Sequence, residues 1–326
     1  MAESKFSYSV LDVGQGSMQL IEQGDETNIT IDCNIAGAPE FAKRYLGRRN
    51  VDHINLHIFS GKDQDHADAE GFRMLINKTN GDIREVWYPT FKVDTDNWKA
   101  ILEMIEELKK KGTVVRNPKA GDFFKFNLLG VKVLSPHPTD SDTSNNASLV
   151  VKIIGDDVSF LGPGDCESED RWLNIIKYFR SWLPSNILLA AHHGSSNGCV
   201  EEAVEIIAPE YTVISCGEDN AYGHPHADAL KVYIKHTSKK VYITHQVGSI
   251  LFESDGKMIT NVVVDAGQDP DGRKAVEAIA GQGPRRPSIG GSLATSAPAA
   301  TLKDAVEKAR PTGEPSTKKV AFGQAS

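Results

Sequence analysis

The chain has 326 residues, 40% of them hydrophobic and 25% charged, a composition ordinary for a soluble globular protein. Its formal net charge of −8 argues against a nonspecific nucleic-acid coat protein, though a local basic groove stays open. No apolar run approaches the roughly 20 residues that span a bilayer, and the N-terminus MAESKFSYSV lacks the basic-then-apolar order of a secretory signal.

Cys33, Cys166, Cys199 and Cys216 are scattered without a C-x-x-C pair, which predicts reduced core thiols rather than a disulfide framework or a cysteine zinc knuckle. Together these features predict a cytoplasmic protein with no membrane contact. In chain order, residues 6–11, 17–21 and 28–32 read as short strands. The first two are joined by Asp12-Val-Gly-Gln-Gly16, whose glycines allow a tight turn. Asp12 and Gln15 are expected to fix that turn rather than to do chemistry. Residues 39–46 form a short helix ended by Gly47.

Residues 51–59 alternate polar and apolar side chains, as a half-buried strand does. They run into SGKDQDHADAEGF, Ser60 to Phe72, after which Phe72, Leu75 and Ile76 recur with helical spacing. Asp63, Asp65 and His66 thus lie on a loop leaving a strand end, the usual place for catalytic groups on a rigid scaffold. Two acids and an imidazole at this range can converge on one divalent cation.

A strand at 85–88 precedes a helix at 97–110, with Trp98, Ile101, Leu102, Ile105 and Leu108 on one stripe and Asp96 as its expected cap. Strands follow at 113–115, 123–126 and 131–134, then a polar loop over 135–146. Residues 148–154 and 158–161 form a hairpin across Gly155-Asp-Asp157. A helix at 169–182 buries Trp172, Ile175, Ile176 and Phe179. Strand 187–190, helix 200–207, strand 211–215, helix 227–235 and strands 240–243, 249–252 and 259–264 complete the expected domain at 1–266. No internal repeat is visible. Runs of strands with interspersed helices, rather than strict βαβ alternation, favour sheets packed face to face with helices outside. From Gly267 onward GQGPRRPSIGGS, TSAPAAT and RPTGEPS are too poor in apolar residues to offset ordering entropy. Residues 267–326 are therefore expected to be a flexible tail, with a transient helix at 302–309, and a candidate segment for a protein partner.

Three further strand ends carry Asp or His. Strand 158–161 ends in GPGDCE with Asp165, strand 187–190 in His192-His-Gly-Ser195, and strand 211–215 in CGEDNAYGHPH with His224 and His226. Such exits describe a site along one rim of a sandwich.

In this order, LDVGQGSMQLIE, the acidic-histidine loop, NNASLVVKI, FLGPGDCE, AAHHGS and YGHPH resemble the metallo-β-lactamase-fold domain of ComEC-type competence proteins and their soluble relatives over roughly residues 6–255. The resemblance implies an α/β fold, a four-layer αββα sandwich with a metal site at one edge, and metal-dependent hydrolysis, often of a phosphodiester in nucleic acid or nucleotide. The family loop reads H-x-H-x-D-H, or H-x-D-x-D-H in many relatives. Here those positions are Gly61, Asp63, Asp65 and His66, so the first histidine is missing. Asp165 matches the bridging aspartate and His192 the later histidine ligand, with His193 the second choice; Asn145-Asn146 replace another histidine. One subsite thus keeps Asp65, His66, Asp165 and His192, enough for one Zn²⁺ or Mn²⁺. The other keeps Asp63, a shared Asp165 and an asparagine, and is expected to be weak or absent.

Loss of one metal leaves the protein to stabilise developing charge. Lys62, where relatives usually carry proline, and Ser195 are candidates for that role. His224 or His226 is the candidate proton donor to the leaving oxygen. The leading expectation is a metal-dependent phosphodiesterase. Its rival is a degenerate, non-catalytic member used for binding or regulation. A lactamase-type or thioester hydrolase fits the fold without a supporting feature.

Overall fold

The computed structural model of the chain describes residues 5–90, 95–137 and 145–265. The expected tail at 267–326, with its helix at 302–309, lies outside the described residues.

The first half begins with β1 (Phe6–Val10), β2 (Gln19–Gln23) and β3 (Thr27–Ile31), followed by α1 (Pro39–Arg48), β4 (Leu56–Ile58), α2 (Ala69–Lys78), β5 (Glu85–Trp87), α3 (Asp96–Lys110) and β6 (Val114–Arg116). The second half runs through β7 (Phe123–Phe126), β8 (Leu129–Ser135), β9 (Val150–Gly155), β10 (Val158–Gly162) and α4 (Glu169–Phe179). It continues with β11 (Ile187–Leu189), α5 (Glu201–Ile207), β12 (Tyr211–Ile214), α6 (Ala227–His236) and β13 (Lys240–Ile243). A short α7 (Thr244–Val247) then leads into β14 (Ser249–Ser254) and β15 (Ile259–Asp265).

These strands form an eight-stranded sheet, β15-β14-β1-β2-β3-β4-β5-β6, and a seven-stranded sheet, β13-β12-β11-β10-β9-β8-β7. Each sheet has an antiparallel part and a parallel part: β3 to β6 run parallel through crossovers α1, α2 and α3, and β10 to β13 through α4, α5 and α6. βαβ alternation is therefore confined to the parallel part of each half and follows an antiparallel run of strands, the mixed pattern the sequence reading expected. The two halves repeat one topology without repeating a sequence. Side-chain alternation, not identity, specifies a strand and the face it buries.

Three apolar layers separate four layers of structure. Between the sheets, Phe6, Tyr8, Val10, Ile29, Ile31, Leu56, Ile58 and Trp87 meet Val131, Val151, Ile153, Phe160, Ile187 and Val213. Outside the first sheet, Phe41, Tyr45, Phe72, Leu75, Trp98 and Ile101 bring α1, α2 and α3 onto it. Outside the second, Trp172, Ile175, Val204 and Tyr233 do so for α4, α5 and α6. Each large apolar side chain so buried contributes about 1.5–3 kcal/mol, which is why these stripes fix an αββα sandwich. No helix among the described residues is long and apolar enough to cross a membrane.

Some boundaries differ from the sequence reading. Only Leu56–Ile58 of 51–59 pairs as a strand, with an isolated bridge at Ile54 to Ile83. Thr95, not Asp96, caps α3 through its hydroxyl, because the first helical turn starts at Asp96. The turn at Gly155 is a two-residue hairpin loop, Gly155 pairing with Val158 and Asp156 taking positive φ (53°).

Candidate metal centre

Parallel strands all point their carboxyl ends the same way, and open α/β sheets place ligands outside those ends. Here the exits of β3, β4, β10, β11 and β12 supply Asp32, the Ser60–His66 loop, Asp165, His192-His193 and the loop to His224. Helix caps fix where two of these loops stop. Asp68 accepts the Gly71 amide at the start of α2 (3.0 Å), and Ser168 the Arg171 amide at the start of α4 (3.1 Å).

The DVGQG turn lies under the β4 loop. Ser17 N donates to the carbonyl of Asp65 (2.8 Å), and Gln15 Oε1 accepts from Gly217 N (3.2 Å). Asp12 Oδ1 accepts from Gly14 N (3.3 Å) within the turn. Gly16 has a φ of 148°, and a Cβ there would sit 2.7 Å from the Asp65 carbonyl oxygen, so only glycine lets the turn approach this closely.

One oxygen from each of Asp65 and Asp165 and one nitrogen from each of His66 and His193 all lie within 4.8 Å of one another. His66 Nε2 is 2.7 Å from Asp165 Oδ1, and His193 Nε2 is 3.3 Å from Asp65 Oδ2 and 3.8 Å from Asp165 Oδ1. Tetrahedral ligands on a zinc with bonds near 2.0–2.1 Å stand about 3.3 Å apart, so these separations bracket what one ion requires. His193 Nε2 is buried and makes no good hydrogen bond among the described residues. Two carboxylates and two imidazoles, one of them through this orphaned nitrogen, fit a single divalent cation of the zinc or manganese kind.

Both imidazoles are held from behind. Asp32, buried beyond β3, accepts from the Ser60 amide and hydroxyl (2.8 Å each), and its Oδ2 is 2.8 Å from His66 Nδ1. His193 Nδ1 donates to the carbonyl of Ser215 (2.8 Å), the residue that follows β12. Each partner accepts from Nδ1, so a neutral ring bound to a metal would keep its proton there and turn the Nε2 lone pair into the cluster.

Charge follows geometry. Burial works against a charged His66, yet Asp165 and Asp32 on either side outweigh it and hold the imidazole well above its usual range. Burial likewise opposes ionised Asp165, but His66, then His193 and His192, hold its carboxyl well below the carboxylate range. A cation in the cluster would take over the role those protons play in pairing the acids.

The backbone at the β11 exit is unusual. His192 and His193 both adopt left-handed conformations (φ 48° and 56°), which cost on the order of 1 kcal/mol or more each. That kink turns the two rings to different places. His193 enters the cluster, whereas His192, the ligand expected from sequence, stands beside it with Nδ1 3.0 Å from Glu167 and Nε2 3.9 Å from Asp165 Oδ2.

Other expected site residues divide in the same way. The Asp63 carboxylate is half exposed outside the cluster; its carbonyl accepts from His66 N and Ala67 N and so shapes the ligand loop. Lys62 Nζ lies 3.8 Å from Asp63, and Lys62 lines a small cavity with Gly61, His66, Ser148 and Asp165. Ser195 is buried, and its hydroxyl accepts from Asn197 N (3.3 Å) inside its own turn. Asn146 ties down the Glu167-Ser168 backbone (3.2 and 2.9 Å). His224 is buried with its ring centroid 5.6 Å from that of His192 and 6.3 Å from that of His193. Burial, then the neighbouring histidines, lower it to about 4, so it is neutral at pH 7. His226 bonds Ser196 instead (3.0 Å).

Sequence reasoning passed over Asp32 and Ser60. Asp32 sits at a strand exit like the residues of the cluster, and that position was the available signal.

No protein-family model matches the chain. In sequence it is 26% identical over 216 residues to ComE operon protein 3 of Bacillus subtilis (strain 168), covering 66% of this chain and 26% of that protein. It is 23% identical over 250 residues to competence protein ComA of Neisseria gonorrhoeae, covering 77% and 32%. The chain thus spans between a quarter and a third of the length of these curated relatives. Among solved structures, the metallo-β-lactamase fold protein YhfI from Bacillus subtilis matches with a TM-score of 0.50 at 14% identity, over 77% of this chain and 100% of that one. CmlA, a diiron β-hydroxylase from Streptomyces venezuelae, matches with a TM-score of 0.50 at 13% identity, over 77% and 55%. At such identities the likeness is one of fold, and it agrees with the four layers and strand-end rim described above. The chain has the metallo-β-lactamase fold and is ComEC-like in sequence.

Proposed function

We propose that the chain is a metal-dependent hydrolase of phosphodiester bonds in nucleic acid or nucleotide, working with one tightly held Zn²⁺ or Mn²⁺. The observation that carries this reading is the convergence of Asp65, His66, Asp165 and His193 at the strand-end rim. When bound, a divalent cation supplies Lewis acidity and lowers the pKa of water toward neutrality. The four side chains would hold it, Asp32 and the Ser215 carbonyl keep both imidazoles in the ligating tautomer, and Lys62 at the neighbouring cavity offers a positive charge to a phosphoryl oxygen. His224, beside both histidines of the β11 exit, would hydrogen-bond a substrate oxygen. Similarity to competence proteins supports a nucleic-acid substrate over other esters.

One observation favours a second reading, a binding module without turnover: Gly61 stands where the resemblance expects a histidine. Space does not explain the glycine. The nearest atoms a Cβ there would meet are those of His66, at 3.7–3.9 Å, an ordinary contact. The test is metal content together with turnover of bis-p-nitrophenyl phosphate by wild type, Asp165→Ala and Gly61→His. About one ion per wild-type chain, metal-dependent turnover and its loss in folded Asp165→Ala support the hydrolase. A metal-loaded wild type inactive on this ester and on nucleic acid, with activity gained in Gly61→His, establishes the binding module instead. An Asp165→Ala variant as active as wild type refutes the site.

A further inference from the structure

The loop between β12 and α6 carries a feature that metal binding does not use. Among the described residues Tyr222 is the most exposed of the large apolar side chains, at 64%. It does not hang free. Its ring stacks on that of His224, with centroids 5.6 Å apart and planes 20° apart. His224 in turn lies nearly parallel to His193, at 6.3 Å and 25°. Three rings therefore form a loose ladder that begins inside the ligand cluster and ends in solvent.

The loop that presents the outer ring is pinned. The Asn220 side chain donates to the carbonyls of Gly217 (3.0 Å) and His224 (2.7 Å) and accepts from the amides of Tyr222 (3.2 Å) and His224 (2.9 Å). His226 Nε2 is 3.2 Å from the Tyr222 carbonyl. Tyr222 takes part in these bonds only through its main chain, so its side chain is dispensable to the loop. An aromatic ring held in water by a fixed loop, beside the candidate metal cluster, has one apolar face available to a flat partner.

We infer that Tyr222 is a stacking platform for an unpaired nucleobase of a strand whose phosphodiester lies at the Asp65–His66–Asp165–His193 cluster. This rests on the phosphodiesterase reading above and names the part of the substrate that the cluster cannot recognise. A net charge of −8 gives the chain little overall attraction for a polyanion. Stacking, which every base provides and which is indifferent to sequence, must then supply much of the affinity.

The test is fluorescence anisotropy on the full, metal-loaded chain, with a short fluorescein-labelled oligothymidylate carrying a cleavage-resistant phosphorothioate backbone. The matching abasic strand is the control. Tyr222→Ala should weaken oligothymidylate binding by about 5- to 150-fold, Tyr222→Trp should retain it, and the abasic strand should bind wild type and Tyr222→Ala alike. Equal oligothymidylate affinity in Tyr222→Ala and wild type overturns the platform. So does an equal loss on the abasic strand. If wild type binds neither strand, the nucleic-acid reading falls with it; if it binds both strands equally, only the platform falls.

Discussion

Asp32 offers the sharpest test of the metal centre, because it touches no expected ligand atom yet decides which nitrogen of a neutral, metal-bound His66 would carry the proton. Its Oδ2 faces both the Ser60 hydroxyl and His66 Nδ1, and its Oδ1 accepts the Ser60 amide. Asparagine keeps the shape and tolerates the left-handed φ of 57° at this position. Bonded to the Ser60 amide through its oxygen, however, it turns an NH₂ toward His66 Nδ1. Two donors cannot face each other, so Nδ1 must become the acceptor and the proton moves to Nε2, the nitrogen that points at Asp165. Losing a partner of this kind costs about 10- to 100-fold in metal affinity, or roughly 1.4–2.7 kcal/mol. Asp32→Ala does more: it adds left-handed strain and strands the buried Ser60 amide and His66, a loss of about 3–5 kcal/mol, or roughly 6–20 °C in Tm. Competition with a chromophoric chelator at pH 7, alongside thermal melts of the metal-free proteins, measures both effects. Asp32→Asn binding zinc within twofold of wild type would refute the tautomer argument. Asp32→Ala melting with wild type would show that the buried pair contributes nothing.

Two predictions address the scaffold. His57 is fully buried, bonded through Nδ1 to Thr30 (2.8 Å) and packed on Phe59 and Phe72, and burial lowers its pKa to about 3. Unfolded chains take up a proton near pH 6.5 while the fold does not, so stability is full above pH 6.5 and falls as the pH drops toward 3. The loss is about 2 kcal/mol by pH 5. Urea titrations should show that His57→Gln removes about half of the slope between pH 6.5 and 5, since His224, lowered to about 4, contributes the other half; an unchanged slope would place the titration elsewhere. Gly71→Ala, in the first turn of α2, would put a Cβ 1.6 Å from the Cys33 carbonyl oxygen. That helix, which follows the ligand loop, must then shift, and stability should fall by several kcal/mol; a folded variant with wild-type Tm would contradict the packing.

The layers were legible because they depend on spacing alone. Trp98, Ile101, Ile105 and Leu108 announce a buried helix face in any context, and Ile29 and Ile31 announce a strand face. Asp65, His66 and Asp165 were legible because their strand exits are. The choice between His192 and His193 was not, since nothing in a His-His pair says which ring turns inward. Two left-handed residues decide it, together with the Ser215 carbonyl, which reaches His193 from the next parallel strand. Asp32 was hidden for a related reason. An aspartate after a strand looks like any turn former, and only the parallel pairing of β3 with β4 brings it to Ser60 and His66. Side chains that face the cluster are written in the loops as residue types. Those that aim them come from neighbouring strands, and sheet order, which local sequence does not specify, selects them. For that reason the substitution at Asp32, rather than at any ligand, tests whether the fold itself tunes the site.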